Sequence, residues 1–274
     1  MHINTNMKFS KVSSGVKFSY NITKGSASKR QENTRRISND IFKAVSNMSD
    51  NEGIKVKDII SAMDNIMPES KPIKISTTKG NDLFTGANDY IEKNGQFVGQ
   101  TLEIPLIRGR LPLGVIPVYM HELTHVLDIL YNPKYTARTN AMERKHLYDT
   151  KYNKCFDKSL YRAETYSSLQ EKKDLIERRR SEVKHWIAGK TSREKIDCIQ
   201  ETKNMLEMEL HAFNAEKVYA DLMRTMGINV PKEEFNNEAE EYLLEEKIQM
   251  LKELGKEIIK KERARHSKTL SINS

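Results

Sequence analysis

The sequence predicts an α+β fold that is mostly helical, with a small β-sheet before a central apolar helix and a long helical hairpin after it. Three observations predict this class. Apolar residues recur at helical spacing over most of the chain. Alternation of apolar and polar residues, typical of half-buried strands, occurs between residues 73 and 106. Charged residues make up 31% of the 274 residues and hydrophobic residues 37%, a balance that favours long solvated helices over a compact sandwich.

The N-terminal part divides into a polar leader and a helical region. Residues 1–36 are rich in Ser, Asn, Thr and Lys, and they contain too few large apolar residues to bury a core. We therefore expect them to form a flexible leader. Apolar residues return at helical spacing from Ile37 to Met67, and Pro68 and Pro72 close that region.

The next stretch predicts a small sheet. Ile73–Thr77 alternates apolar and polar side chains, as a half-buried strand should. Asn94-Gly95, within residues 89–99, favours the positive φ angles of a tight hairpin. Residues 102–106 predict a last strand, and Pro105 indicates that this strand lies at an edge of the sheet.

Helices dominate the remainder. Pro117 suits the first turn of an apolar helix that runs to about Tyr131. Helical segments at residues 158–187 and 192–227 predict an antiparallel hairpin that turns near Gly189.

These patterns predict three parts along the chain. Residues 1–36 form the leader, and residues 37–230 form one folded domain that includes the hairpin of residues 158–227. Residues 231–274 form a charged C-terminal helix and a polar tail.

Composition excludes several classes of protein. The net charge is +8 with a pI near 9.2, but no block of five or six basic residues stands alone, so a nucleic-acid partner is not favoured. No stretch of about 18 apolar residues is present, so we expect no transmembrane helix and no membrane partner. The N-terminus lacks the apolar segment of a signal peptide. Two cysteines, Cys155 and Cys198, predict neither a disulfide framework nor a cysteine zinc site, and they suit a reducing compartment.

The central apolar helix carries His121-Glu122-Leu123-Thr124-His125. Histidines four residues apart project from one face of a helix, where both imidazoles can bind one Zn²⁺ at about 2.0–2.1 Å. Glu122 lies about 100° around the helix. From there it can reach a water molecule bound to the metal and take its proton as general base.

A buried, hydrogen-bonded histidine pair is the alternative interpretation, because a five-residue match can arise by chance. The surroundings favour the metal. Residues 115–130 are apolar nearly all around the helix, which indicates a central position. Two histidines and a glutamate in such a helix are costly unless a metal or other polar partners compensate them.

This motif resembles that of the zincin metallopeptidases, whose active-site helix carries it. The order of predicted elements resembles that of these peptidases over residues 73–216, whereas the motif itself covers residues 121–125. The strands upstream of the helix would form the sheet that binds substrate in such peptidases. The metzincin extension would need glycine at position 128 and histidine or aspartate at position 131, where this chain has Asp128 and Tyr131. The resemblance is therefore to the gluzincins, and it implies a downstream glutamate as third zinc ligand.

Two glutamates are candidates for that ligand. Glu209 precedes Ala212 in a Glu-any-any-Ala pattern that is similar to the gluzincin third-ligand helix, where a small residue permits close approach. Glu164 follows Ala163 and matches less well. If the two helical segments form a hairpin, one of these glutamates would bind the metal and the other would hydrogen-bond a histidine ligand. Glu209 is the favoured ligand, and Glu164 is the alternative.

Asp128 and three tyrosines are further candidates. Asp128 shares the helix stripe of His121 and His125, so it would either orient an imidazole N–H or face polar neighbours on the hairpin. The resemblance also implies a tyrosine that stabilises the oxyanion. Tyr161, Tyr166 and Tyr219 are candidates that the sequence does not rank.

The expected function is that of a zinc-dependent endopeptidase acting on a protein or peptide, with Glu122 as general base. A strand at residues 102–106 would align an extended substrate by strand addition. The alternative is a non-catalytic helical binding or scaffold protein with a structural or degenerate metal site. Retention of Glu122 speaks against that alternative, because a structural site does not need this residue. The sequence does not indicate an oligomeric state.

The two ends of the chain resemble signals for specialised secretion. The polar leader without an apolar segment, and the Glu-rich last helix with its tail of small polar residues, are the features that resemble them. They imply a bacterial effector and virulence protease, made in the bacterial cytoplasm and secreted into the cytosol of a host cell. Disordered termini of the same composition explain both features equally well.

Overall fold

A computed structural model of the chain describes residues 27–47, 52–67, 73–77, 86–93, 96–131, 167–232, 235 and 238–272. Within these residues the protein is mostly helical with a small β part, as the sequence predicts. The helices are α1 (Ala27–Asn47), α2 (Val56–Ile66), α3 (Ile116–Tyr131), α4 (Leu169–Trp186), α5 (Ser192–Thr225) and α6 (Glu238–Ile272). The strands are β1 (Ile54–Lys55), β2 (Ile73–Thr77), β3 (Ala87–Lys93), β4 (Gln96–Ile104) and β5 (Arg110–Leu111).

The three-stranded sheet has β4 at its centre. β4 pairs in parallel with β2, where Ile73 lies opposite Gln100, and antiparallel with β3, where Ala87 lies opposite Glu103. The predicted edge strand at residues 102–106 is therefore wrong, because residues 102–104 complete the central strand. Pro105, which lacks an N–H group, follows that strand and ends it instead of marking an edge. Within the described residues, β2 and β3 form the edges of this sheet.

Helix α3 lies at the centre of the larger apolar core, as the sequence predicts. It packs against α1, α5, β3 and β4. Six of its residues are wholly buried: Ile116, Tyr119, Met120, Leu123, Val126 and Leu127. Burial on every side explains why this helix is apolar nearly all around, and it places the polar residues of the histidine motif inside the protein.

The helices after the motif form a three-helix arrangement. The turn between α4 and α5 places Gly189 at φ 76°, and Thr191 with Glu194 forms a capping box that starts α5. α6 packs along α5 and also against α4, and all three contribute to a second apolar cluster. The C-terminal helix therefore packs on the two helices that precede it and shares an apolar cluster with them.

Charge pairs connect two of these helices. Nζ of Lys172 on α4 donates to Oε1 of Glu246 on α6 at 2.9 Å and lies over the ring of Tyr242. Arg180 pairs with Glu257 and, at 3.5 Å, with Glu253. These contacts join α4 to α6 along the side of the apolar cluster.

Two further expectations differ from the structure. α1 begins at Ala27, so residues 27–36 of the predicted leader are helical. Their Ala, Lys, Arg, Gln and Glu residues favour a helix without adding the apolar residues that reveal one by periodicity. Cys198 is disulfide-bonded, which corrects the expectation that the two cysteines form no disulfide. Cys155 and residues 1–26 lie outside the described residues.

No described helix is both long enough and apolar enough to cross a membrane.

Candidate metal centre

Three side chains from two helices meet at one point in the structure. Nε2 of His121 and Nε2 of His125, both on α3, are 3.3 Å apart. Oε2 of Glu209 on α5 lies 3.3 Å from Nε2 of His125, and its Oε1 lies 3.6 Å from Nε2 of His121. Among the described residues this trio has the ligand atoms and the spacing that could hold a metal ion.

The separations match a tetrahedral site. Nitrogen and oxygen ligands about 2.0–2.1 Å from a tetrahedral zinc ion lie about 3.3–3.4 Å from one another. The two Nε2 atoms are 3.3 Å apart, and each lies 3.3 or 3.6 Å from a different oxygen of the Glu209 carboxylate. One ligand atom from each of the three side chains lies within 4.8 Å of the other two, so the trio has the spacing to supply three ligands of a tetrahedral site.

The packing of α3 against α5 brings these residues together. Ala212, one turn after Glu209, is wholly buried, so the two helices can approach closely. The ring of Phe213 packs edge-on against His121, with the ring centroids 5.0 Å apart. Glu209, which the sequence favours as third ligand, therefore lies at the cluster. Glu164, the alternative, lies outside the described residues.

Glu216 is a member of the site that the sequence analysis missed. Its side chain is 9% exposed, and its Oε2 lies 2.7 Å from Nδ1 of His121. A carboxylate accepts a hydrogen bond from an imidazole N–H, so Nδ1 of His121 donates to Glu216, and Nε2 is the ring nitrogen that faces His125 and Glu209. The sequence spacing of the two glutamates could have indicated this role, because Glu216 follows Glu209 by two helical turns and so lies on the same stripe of α5.

Glu122 is buried beside the cluster. It is 5% exposed, and burial raises the pKa of its carboxyl group, an effect that the neighbouring His125 and His121 only partly offset. Its side chain packs against the backbone of Gly86, the residue that precedes β3. The motif glutamate therefore faces the start of an edge strand.

The carboxylates of Glu122, Glu209 and Glu216 surround His121 and stabilise a positive charge on it. Burial lowers the pKa of His121, but its contacts with Glu209 and Glu216 and the charge of Glu122 outweigh burial and raise that pKa to about 10. Burial raises the pKa of Glu209, but both histidines hold it well below its usual range. In the metal-free protein a proton on His121 supplies the positive charge. A divalent cation bound at the Nε2 atoms would replace that proton.

Asp128 and Tyr219 have partners away from the ligand trio. Oδ2 of Asp128, which is buried, lies 2.8 Å from Nδ1 of His211, so it faces a polar neighbour on α5. The hydroxyl of Tyr219 donates to Oδ1 of Asn39 at 2.9 Å and lies 2.8 Å from Oγ of Ser38, both on α1. Tyr161 and Tyr166, the other two tyrosines considered, lie outside the described residues.

The chain matches no protein-family model, and neither a curated protein nor a solved structure is similar to it.

Proposed function

We propose that this protein is a zinc-dependent endopeptidase in which His121, His125 and Glu209 bind the metal and Glu122 acts as general base. One observation carries the proposal. One ligand atom from each of the three side chains lies within 4.8 Å of the other two, and the buried carboxylate of Glu122 is close enough to interact electrostatically with all three. A structural zinc site has four protein ligands and does not require a fifth polar group, whereas a catalytic site keeps one position open.

The donor set favours zinc over other divalent cations. Two imidazole nitrogens and one carboxylate oxygen form a typical catalytic zinc set, whereas Mg²⁺ and Ca²⁺ prefer oxygen ligands. The hydrogen bond from Nδ1 of His121 to Glu216 supports the same choice, because it directs Nε2 toward the other two ligands, where a metal ion would replace the Nε2 proton.

The residues of the chain can move the protons that peptide hydrolysis requires. Bound zinc supplies Lewis acidity, which polarises the scissile carbonyl and lowers the pKa of a water ligand toward about 7. Glu122 takes a proton from the attacking water and delivers it to the leaving amine. Burial raises the pKa of Glu122, which brings its basicity closer to neutral pH than that of an exposed glutamate.

Strand β3 is the proposed docking edge for an extended substrate. β3 pairs with β4 on one side, and no described strand pairs with its other side. Its N-terminal end adjoins Gly86, which contacts Glu122. A peptide that adds to this edge would place its backbone beside the general base, as strand addition requires. This edge replaces the strand at residues 102–106 that the sequence pointed to.

We also propose that the enzyme is of the zincin class and that it is delivered by specialised secretion. The His121–His125 spacing and a glutamate from a following helix support a gluzincin-like enzyme. The compositions of the leader and of the C-terminal tail support specialised secretion of a bacterial effector into host cytosol. Reporter fusions to residues 1–36 and to residues 267–274 test delivery, and a failure of both fusions to be translocated would reject it.

The Glu122→Gln variant tests the enzymatic proposal. The purified full-length protein is loaded with zinc and incubated with a library of unfolded peptides, and cleavage is followed by mass spectrometry. We expect Glu122→Gln to retain one zinc ion and to lose at least about 100-fold in turnover, the scale of a lost general base. Glu177→Gln, which changes a glutamate whose side chain is 71% exposed on α4, is the matched control.

The outcomes separate the two functions considered. Cleavage by Glu122→Gln at the wild-type rate would show that Glu122 is not the base. Stoichiometric zinc binding by the wild type without any cleavage would instead favour the non-catalytic binding or scaffold protein.

A further inference from the structure

Gly86 lies where no side chain fits. A Cβ atom at residue 86 would lie 2.5 Å from Cγ of Glu122 and 2.7 Å from its Oε1, well inside normal contact distance. The third-nearest atom, at 3.0 Å, is Cδ of the same glutamate. All three nearest atoms therefore belong to Glu122, and the space that a side chain at residue 86 would need is occupied by Glu122.

Space rather than backbone conformation explains this glycine. Gly109, Gly189 and Gly227 have positive φ angles of 75°, 76° and 78°, and no atom lies within 4 Å of a Cβ placed on any of them. These three need glycine for its conformation. Gly86 is not among the described glycines with positive φ angles. A Cβ atom placed on Gly86 would instead collide with a neighbouring side chain.

The neighbour in question is a movable side chain. Because Cγ, Cδ and Oε1 of Glu122 belong to a flexible side chain and not to backbone, a substitution at residue 86 would displace the carboxylate before it displaced β3. Glu122 is 5% exposed, so it has little free volume into which to move. None of those three atoms belongs to His121, His125 or Glu209, so the ligand trio would keep its geometry.

We propose that Gly86 is a positioning residue for Glu122: its backbone forms the wall that holds the carboxylate at its place between α3 and the start of β3. The catalytic consequence rests on the proposed function, whereas the packing relationship does not. Residue 86 thereby couples the position of the base to the edge strand on which the substrate would lie.

A double-mutant cycle on thermal stability tests the packing. Gly86→Ala, Glu122→Ala and the double variant are compared with the wild type as full-length, zinc-loaded proteins. We expect Gly86→Ala to lower Tm by about 3–6 °C in the wild type, the scale of overpacking a filled site. In the Glu122→Ala background the three crowding atoms are gone, so the same substitution should lower Tm by less than about 1 °C.

Gly255→Ala is the matched control for the cycle. A Cβ at residue 255, within α6, would lie 3.8 Å from Cγ2 of Ile199, which is an ordinary contact. Its effect on Tm should be the same with and without Glu122. Equal Tm shifts for Gly86→Ala in both backgrounds would overturn the proposal.

Activity provides the second readout. At equal zinc occupancy, Gly86→Ala should lower kcat at least about 10-fold and change KM less than about 2-fold, because it displaces the base but leaves the metal and the docking edge. Coupled Tm shifts with an unchanged kcat would overturn the catalytic role. If the wild type cleaves nothing, the proposed function fails, while the Tm cycle still decides whether Gly86 positions Glu122.

Discussion

Oε2 of Glu216 lies 2.7 Å from Nδ1 of His121, and this hydrogen bond aims the opposite ring nitrogen at His125 and Glu209. The bond joins α5 to α3 across the buried side of the ring. It fixes both the rotation of the imidazole and the nitrogen that carries the proton. Glu209 and Glu216, two helical turns apart on one helix, therefore contact both ring nitrogens of one histidine.

Removing Glu216 should weaken metal binding without removing a ligand. We expect Glu216→Ala to lower zinc affinity about 10- to 100-fold, because His121 loses its orientation and its proton acceptor. Glu216→Gln keeps an acceptor oxygen and should lose less affinity. Competition with a chromogenic chelator measures both, and Glu177→Ala serves as the exposed control. An affinity of Glu216→Ala equal to that of the wild type would contradict this role.

If Glu209 is the third ligand, alanine substitutions of Glu209 and of Glu164 should have different effects on zinc affinity. Oxygens of Glu209 lie 3.3 and 3.6 Å from the two Nε2 atoms, so Glu209→Ala removes a corner of the site. We expect the zinc affinity of Glu209→Ala to fall more than about 100-fold. This loss is larger than that expected when a residue that only hydrogen-bonds a ligand is removed. Glu164→Ala should bind zinc as the wild type does. Loss of zinc from Glu164→Ala with retention in Glu209→Ala would reverse the assignment.

The sequence could predict the elements of this site that depend on local spacing. His121, Glu122 and His125 lie on one helix, so helical periodicity alone places the two imidazoles on a common face. Glu209 is favoured only through the resemblance of Glu209 and Ala212 to the gluzincin third-ligand pattern, and the structure buries that alanine completely.

Features that depend on contacts distant in sequence could not be predicted in the same way. The spacing of Glu209 and Glu216 shows that they share a stripe of α5, but only the packing on α3 gives His121 both of them as partners. The position of β4 likewise follows from its pairing with β2 and β3. A proline lacks the N–H group that a strand donates to its neighbour, so it is found both at the ends of strands and on edge strands. The presence of Pro105 alone therefore does not distinguish the end of a central strand from an edge strand.

Asp128 should act on stability more than on metal affinity. It is 1% exposed and its Oδ2 lies 2.8 Å from Nδ1 of His211, whereas no described contact joins it to the ligand trio. We expect Asp128→Asn to destabilise the fold by about 1–3 kcal/mol, because it weakens a charge-assisted hydrogen bond made by a buried group. Chemical denaturation and zinc titration measure the two effects. A loss of zinc affinity as large as that of Glu216→Ala would show that Asp128 orients a ligand.

Tyr219 should contribute to stability and not to turnover. Its hydroxyl contacts Ser38 and Asn39 on α1, and its ring packs against Phe42 with the ring centroids 4.8 Å apart. Tyr219→Phe keeps the ring and removes the hydroxyl, so we expect a loss of about 1 kcal/mol and a Tm lower by roughly 2–4 °C.

The measurement combines calorimetry with peptide cleavage. Ser38→Ala is the matched variant, because it removes one partner of the same hydroxyl, and the double variant should lose less than the sum of the single losses. Turnover of Tyr219→Phe should stay within about 2-fold of the wild type, since a lost oxyanion donor costs about 100-fold or more. A loss of that size at unchanged zinc content would place Tyr219 at the reacting carbonyl and contradict the contacts described above.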